Sequence, residues 1–344
     1  MPDSMSDVEG GPLSAAVRTA TGLGWLDAER PARIPTPRST TGVAAVVRER
    51  LAAGALDLPL PGVDTLERWA GLVELGRTDL AVARLAEGHV DAVAILAEAG
   101  RAAVTGALYG VWASRSGGVC ARLVRGRVHG AMRFCSGATN LDRALVVAVT
   151  DAGAVSLVEV DLAHPGVIPD PTTWQAIGMD ASDSADVRFD QVEPAAVIGP
   201  PGWYTARPGF AAGGGGVAAV WLGGAVGVLD DVVDVLAART ADEHQLAHLG
   251  ALHAAVAGAG AHLEHVARLV DHGVATGHHL ATCRAVVERA AWEVVDRVPR
   301  IVGPTSLGRD RAFAQRLADL QVYVRQHHAE RDMAALGRTV LDAG

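Results

Sequence analysis

Residues 178–192 read Gly178-Met-Asp-Ala-Ser-Asp-Ser-Ala-Asp-Val-Arg-Phe-Asp-Gln-Val192, and a second block, Met132-Arg-Phe-Cys-Ser-Gly-Ala138, precedes them in the chain. Each reads as a short strand interrupted by hydroxyl or small residues. The segment they bracket is richer in Val, Ser and Asp than the Ala-, Leu- and Arg-rich stretches on either side. Within it, Val119 to Phe134 reads as a hairpin turning at Arg125-Gly126. Ala144 to Thr150 and Ala154 to Val160 read as buried strands joined by Asp151-Ala152-Gly153, and Ser184 to Phe189 as a partly exposed strand.

Outward from this β unit the period changes. Leu13 to Ala107 carries apolar residues at helical spacing, in Val43 to Leu56 and again through Thr65 to Gly100, with Pro-rich interruptions at Pro31 to Pro37 and Pro59 to Pro61. After Arg207 helical segments are expected near 217–239, 244–273, 276–298 and 309–341, with Pro299 and Gly303-Pro304 separating the last two. The pattern predicts an α+β fold: a loose tail at 1–11, an N-terminal helical domain at 12–107, a middle β-domain at 108–206 and a C-terminal four-helix bundle at 207–344.

At 344 residues, with 49% hydrophobic residues and a mean hydropathy of +0.22, the chain can bury a large core. The formal charge is −9 and all 30 basic residues are Arg, which reads as a compositional habit and argues against nucleic acid as the main partner. Cys120, Cys135 and Cys283 are too scattered for a disulfide framework, so a reducing cytoplasm is the expected location. The first eleven residues lack the basic and apolar regions of a signal peptide. Pro208 to Leu229 is uncharged and long enough to cross a bilayer, but it contains eight glycines. It is expected to form a mobile Gly loop leading into a buried helix from about Val217. No GxGxxG follows a strand and no GxxxxGK[ST] occurs, so neither a Rossmann nor a P-loop site is supported.

The order of helices, β unit and helices, together with the two opening blocks, resembles the acyl-CoA dehydrogenase family of flavoproteins. The resemblance extends over nearly the whole chain after the first ~40 residues, by the domain sizes expected. Besides residues 178–192, continued by Ile198-Gly199, three segments carry it. Tyr109-Gly-Val-Trp112-Ala-Ser114 falls where the family's opening β-domain strand passes the flavin, although the usual Thr-Glu-Pro run is missing. Phe134-Cys135-Ser136 occupies the place of the aromatic-x-Thr/Ser triplet. The resemblance therefore puts Phe134 beside an FAD ring and the Ser136 hydroxyl at its N5 edge, with Cys135, Trp112 and Ser114 nearby. Gly303-Pro-Thr-Ser-Leu-Gly308, followed by Asp319 to Tyr323, falls where a glycine turn lies against the FAD of a neighbouring subunit. There Arg239 is a candidate for its pyrophosphate, and Pro304 departs from the pattern.

The family uses a glutamate to remove the substrate Cα proton as hydride leaves Cβ for flavin N5. The corresponding position here is His327, and the family's alternative position falls near Ala218. An imidazole can act as a base at working pH, and a histidine near this place also occurs in flavin monooxygenases of the same fold. The His327-His328 pair also reads as a solvated helix end, and Glu330 is a weaker base candidate. Trp203, Tyr204, Arg207 and Phe210 read either as a substrate wall or as aromatics pinning the β-domain to the bundle. His244 and His248, one helical turn apart, lack an evident third ligand, so no metal site is expected.

The resemblance thus implies an FAD-dependent acyl-CoA dehydrogenase-like oxidoreductase acting on an acyl thioester or related carbonyl compound. It also implies a homodimer or homotetramer and an electron-transfer partner or reductase. The alternatives are a flavin-dependent monooxygenase or oxidase on the same fold, and a non-catalytic scaffold protein that has lost its base.

Overall fold

The computed structural model describes residues 21–342, apart from 28, 33 and 35–37. The tail expected at 1–11 lies outside the described residues. Three helices come first: α1 (Thr40–Ala52), α2 (Thr65–Thr78) and α3 (Leu80–Glu98). Asp79 splits the long helical stretch, because its extended backbone ends α2 while its carboxylate accepts from the Ala81 and Val82 N–H groups at the start of α3.

The strands β1 (Tyr109–Trp112), β2 (Ala121–Val124), β3 (Arg127–Cys135), β4 (Arg143–Thr150), β5 (Val155–Asp161), β6 (Val167–Asp170), β7 (Ala185–Val192) and β8 (Ala196–Ile198) form one sheet. Its order is β6-β7-β3-β2-β4-β5-β8, with β1 beside β4. The hairpin at Arg125-Gly126 forms as expected, and both turn residues take left-handed φ values, 49° and 77°. That geometry matches the twist of the flanking strands. β4 is parallel to β1 along its first half, parallel to β2 along its second, and antiparallel to β5 on the other edge. Neighbours on both edges and cover on both faces explain its unbroken apolar run.

The remaining helices are α4 (Trp203–Ala206), α5 (Phe210–Ala237), α6 (Glu243–Asp271), α7 (Gly277–Arg309), α8 (Arg311–Tyr323) and α9 (Glu330–Asp342). Three expectations are corrected here. The glycine run is not a mobile loop, since Gly213 to Gly216 lie inside α5. A Cβ on Gly215 would come within 2.3 Å of the Trp69 ring, one on Gly223 within 2.1 Å of the Val73 carbonyl, and one on Gly76 of α2 within 2.3 Å of the Val220 carbonyl. The glycines let α2 and α5 meet backbone to backbone. Glycine weakens a helix by about 1 kcal/mol per residue, and here close packing inside the protein offsets that cost. Among the described residues α5 is the one helix long and apolar enough to cross a membrane, and 89% of that window is buried inside the protein.

Pro299 does not end α7, which continues past it with Val298, Ile301 and Val302 buried in the bundle. The break comes at Gly303 (φ 66°, ψ −169°), and Pro304 then opens the next turn, where no N–H is required. The helix expected over 309–341 is divided into α8 and α9 by residues 324–329, where Ala329 takes a φ of 45°.

A buried carboxylate joins three parts of the molecule. Asp319 on α8 accepts from the Met179 N–H at 2.6 Å and from Gln315 Nε2 at 3.0 Å, and it pairs with Arg38, which also reaches Asp79 at the start of α3.

Candidate active site

The polar corner at the end of β3 is built by a bulge. The β3–β7 register steps from Met132↔Val187 to Cys135↔Ala185, so β3 carries one extra residue. Phe134 takes it up with φ 60° and turns its ring outward, 52% exposed and edge-on to Trp174 at 6.4 Å. A bulky residue held at positive φ is an outlier of the kind that collects at functional surfaces. Cys135 points inward, and burial pushes its thiol pKa up, which makes it inert. Trp112 on β1 donates from Nε1 to the Ser136 carbonyl at 3.0 Å. Two of the expected cofactor residues are therefore in contact.

The Ser136 hydroxyl belongs to a chain of three. Ser182 Oγ lies 2.7 Å from the Met179 carbonyl, Ser184 Oγ 2.8 Å from Ser182 Oγ, and Ser136 Oγ 2.8 Å from Ser184 Oγ. A hydroxyl has one proton. Since a carbonyl only accepts, Ser182 gives its proton to Met179, Ser184 gives to Ser182, and Ser136 gives to Ser184. Ser136 then keeps a lone pair outside the chain, and Arg84 Nε on α3 donates to it from 3.0 Å. In this arrangement the cation Arg84, rather than the serine proton, is the donor at the corner.

Arg84 pairs with Glu87, and Asp91 follows one turn later on the same face of α3. Glu87 is 3% exposed. Burial raises its pKa to about 7, Arg84 opposes the rise, and Asp91 adds to it. Tyr204 from α4, Tyr323 from α8 and Arg284 from α7 all feel the Glu87 charge. Burial drives Tyr204 to about 12 and Tyr323 well above its ordinary value, so both stay protonated at neutral pH. The composition of this corner fits a flat heterocycle with a polar edge: an outward aromatic face on Phe134, and hydrogen-bonding and cationic groups beside it.

His327 lies in the turn between α8 and α9 and is 3% exposed, so it is not a solvated helix end. Its ring stands edge-on to Trp221 at 6.4 Å, and Nδ1 is buried without a hydrogen-bond partner. Burial lowers its pKa, against the attraction of Glu288 and Asp332, so the imidazole is neutral at pH 7. It lines a cleft of about 270 Å³ between α7 and α9. His328, by contrast, is an exposed cap partner of Asp332.

The other expected site residues are engaged inside the fold. Arg207 pairs with Glu98 at 2.7 Å and lies over the Tyr204 ring, whose edge meets Phe210 at 5.3 Å. Trp203 closes over Gly199, within 2.6 Å of where a Cβ would stand. Of the two readings of residues 203–210, this geometry favours aromatics pinning the β-domain to the helices. Arg239 Nη2 and Gln245 Nε2 both donate to the Ile301 carbonyl, at 3.3 and 2.7 Å, just before the break at Gly303. Gly303 and Gly308 have open space where a Cβ would stand. Ser114 accepts from the Ser116 N–H at 3.4 Å. Among the described residues no three His, Cys, Asp or Glu side chains gather as metal ligands.

Arg84, Glu87, Asp91, Ser184 and Arg284 were not among the sequence candidates. The signal for the first three was present, because they recur at i, i+3 and i+7 in a largely apolar helix and so share one face. Nothing local marks Ser184 or Arg284.

Residues 201–324 match the family model described as acyl-CoA dehydrogenase, C-terminal domain. Among solved structures, butyryl-CoA dehydrogenase from Megasphaera elsdenii is similar at a TM-score of 0.73 and 18% identity, over 86% of this chain and 90% of that one. Glutaryl-CoA dehydrogenase from Mycobacterium smegmatis gives 0.75 and 16%, over 87% and 86%. Dibenzothiophene monooxygenase (TdsC) from Paenibacillus sp. A11-2 gives 0.68 and 19%, over 89% and 96%. At these identities the likeness is one of fold. A comparison with curated proteins returned no match.

Proposed function

We propose, from a C-terminal domain that matches the acyl-CoA dehydrogenase family model and a fold like that of acyl-CoA dehydrogenases, that the chain is a member of that family and an FAD-dependent oxidoreductase acting on an acyl thioester or a related carbonyl compound. The observation that carries this reading is the bulge that turns Phe134 outward beside the buried Ser136 and Arg84 pair. A bound flavin would supply the electron acceptor. Phe134 would support its ring, Trp112 would hold the strand end in place, and Arg84 would present a fixed positive charge at the polar edge. Such preorganised charge costs no reorganisation during reaction. His327, neutral and lacking a partner at Nδ1, is the group we assign to take up the substrate proton. The open backbone at Gly303 and Gly308 suits a phosphate-bearing group from a neighbouring copy, so we propose a homodimer or a dimer of dimers. Three unpaired cysteines, two of them buried, suit a cytoplasmic location.

A second reading, a flavin-dependent monooxygenase or oxidase, is favoured by a neutral imidazole where the family has a carboxylate. It is also favoured by the likeness to TdsC, a monooxygenase also solved with FMN bound. The visible spectrum of the purified protein is the first test. Failure to retain or take up FAD or FMN would eliminate both enzyme readings in favour of a scaffold. If the protein is yellow, anaerobic bleaching by acyl-CoAs supports a dehydrogenase, and O₂ uptake only with pre-reduced flavin supports a monooxygenase. His327→Ala is expected to lower turnover at least tenfold more than His328→Ala, and equal small effects would remove His327 from the reaction.

A further inference from the structure

We infer that the cleft between α7 and α9 is a binding site for a small organic monocarboxylate with an apolar body, paired by Arg284 and hydrogen-bonded by His327. Arg284 is the first reason. Arg38, Arg68, Arg77, Arg84, Arg207 and Arg316 each pair with a carboxylate. Arg284 has no Asp or Glu within ion-pair distance among the described residues. Its guanidinium donates from Nη1 to the Gly214 carbonyl at 2.6 Å and lies over the Trp221 ring at 4.8 Å. Burial disfavours its charged form and lowers its pKa. Asp332 and Glu87 attract it only from beyond ion-pair distance. A desolvated cation without a carboxylate in contact is costly, and a planar guanidinium fork matches a carboxylate. His327 is the second, independent reason: it is 3% exposed, lines the same cleft, and has no partner for Nδ1.

The walls and the size set the rest of the ligand. Ala281, Ala285 and Leu336 line the cleft together with Arg284, His327 and Asp332. Their short apolar side chains leave room for a hydrocarbon body. The volume of about 270 Å³ lies just under the ~300–1,000 Å³ typical of drug-sized ligands. A short acid fits within it, whereas the nucleotide part of a thiol carrier would have to lie outside it. Asp332, whose carboxylate accepts from the His328 N–H at 3.0 Å, adds negative charge to the same wall, so a single carboxylate must sit on the Arg284 side and a dicarboxylate is disfavoured. To call the occupant a substrate rests on His327 being the proton acceptor proposed above, but its binding does not.

The test is calorimetric titration of the purified full chain with hexanoate and with its neutral counterpart hexanamide, with flavin content measured on the same sample. Hexanoate is expected to bind at least tenfold more tightly than hexanamide, and Arg284→Met is expected to abolish that preference. Leu336→Trp, on α9 and leaving Arg284 unchanged, is expected to block both probes by filling the cleft. It decides the matter if Arg284→Met fails to fold. Absence of hexanoate binding, equal affinity for the two probes, or undiminished binding in a folded variant would overturn the assignment. Flavin-free protein that still prefers hexanoate would sink the redox reading alone, and yellow protein that ignores hexanoate would sink this one alone.

Discussion

At the scale of the residue, two buried groups respond to pH in opposite directions. Glu87 has its pKa raised by burial to about 7 from an ordinary 4.5, so its protonated form is the one the fold prefers. The stability it contributes is fully present below about 4.5 and is lost as pH rises through about 7. A carboxyl ¹³C titration is expected to show a Glu87 midpoint near 7, and Glu87→Gln is expected to lose less stability than the parent between about pH 5 and 8. A midpoint in the ordinary carboxylate range would mean that the α3 face is open to water. His327 behaves in the other sense. Its folded pKa lies below the ordinary 6.5, so its contribution is present above that value and is lost as pH falls through the lower, folded one. It is faced by Arg284 and Glu288 from α7, Asp332 from α9 and Arg325 beside it. Urea unfolding is expected to show a shallower fall in stability from about pH 7 to 5 in His327→Gln than in the parent, and identical slopes would place His327 in water. The sequence identified His327 by position but left open whether it was buried or solvated. Only its packing against Trp221 decides that.

At the scale of the element, the glycines of α5 are interpretable only with α2 beside them. In isolation a four-glycine run favours a loop, because glycine has the most backbone entropy to lose on ordering. In place, a side chain at Gly223 would meet the Val73 carbonyl at 2.1 Å, whereas one at Gly250 in α6 would meet nothing within 4 Å. Gly223→Ala is therefore expected to destabilise by about 1–3 kcal/mol through overpacking, while Gly250→Ala should stabilise by up to ~1 kcal/mol through helix propensity. Chemical unfolding of the two variants checks the pair, and equal effects would mean that α2 and α5 do not touch. The bulge in β3 teaches the converse lesson. The Phe-Cys-Ser triplet was legible as a strand end, but the extra residue that turns Phe134 outward is a matter of register against β7, a strand some fifty residues away.

At the scale of the whole molecule, Asp319 shows how the parts are joined. Its carboxylate serves Arg38, the Met179 N–H and Gln315 at once, linking the segment before α1, the loop ahead of β7 and α8. Asp319→Ala leaves Arg38 with fewer counter-charges and the Met179 N–H without its acceptor. It is expected to cost about 3–5 kcal/mol, measured as a lowered urea midpoint at unchanged slope. A loss below about 1 kcal/mol would mark the cluster as a solvated ion pair. By itself the sequence determined the fold class, the order of helices and strands, the hairpin at Arg125-Gly126 and the likeness to a flavoprotein family. Those features are written in local periodicity and turn chemistry, which each segment carries wherever it is placed. Only the tertiary structure decided that the glycine run is a helix, that Ser136 passes its proton to Ser184 and accepts from Arg84, and that no carboxylate among the described residues reaches Arg284 within ion-pair distance. Each of these depends on which groups distant in the chain meet where water is excluded, and no segment specifies that alone.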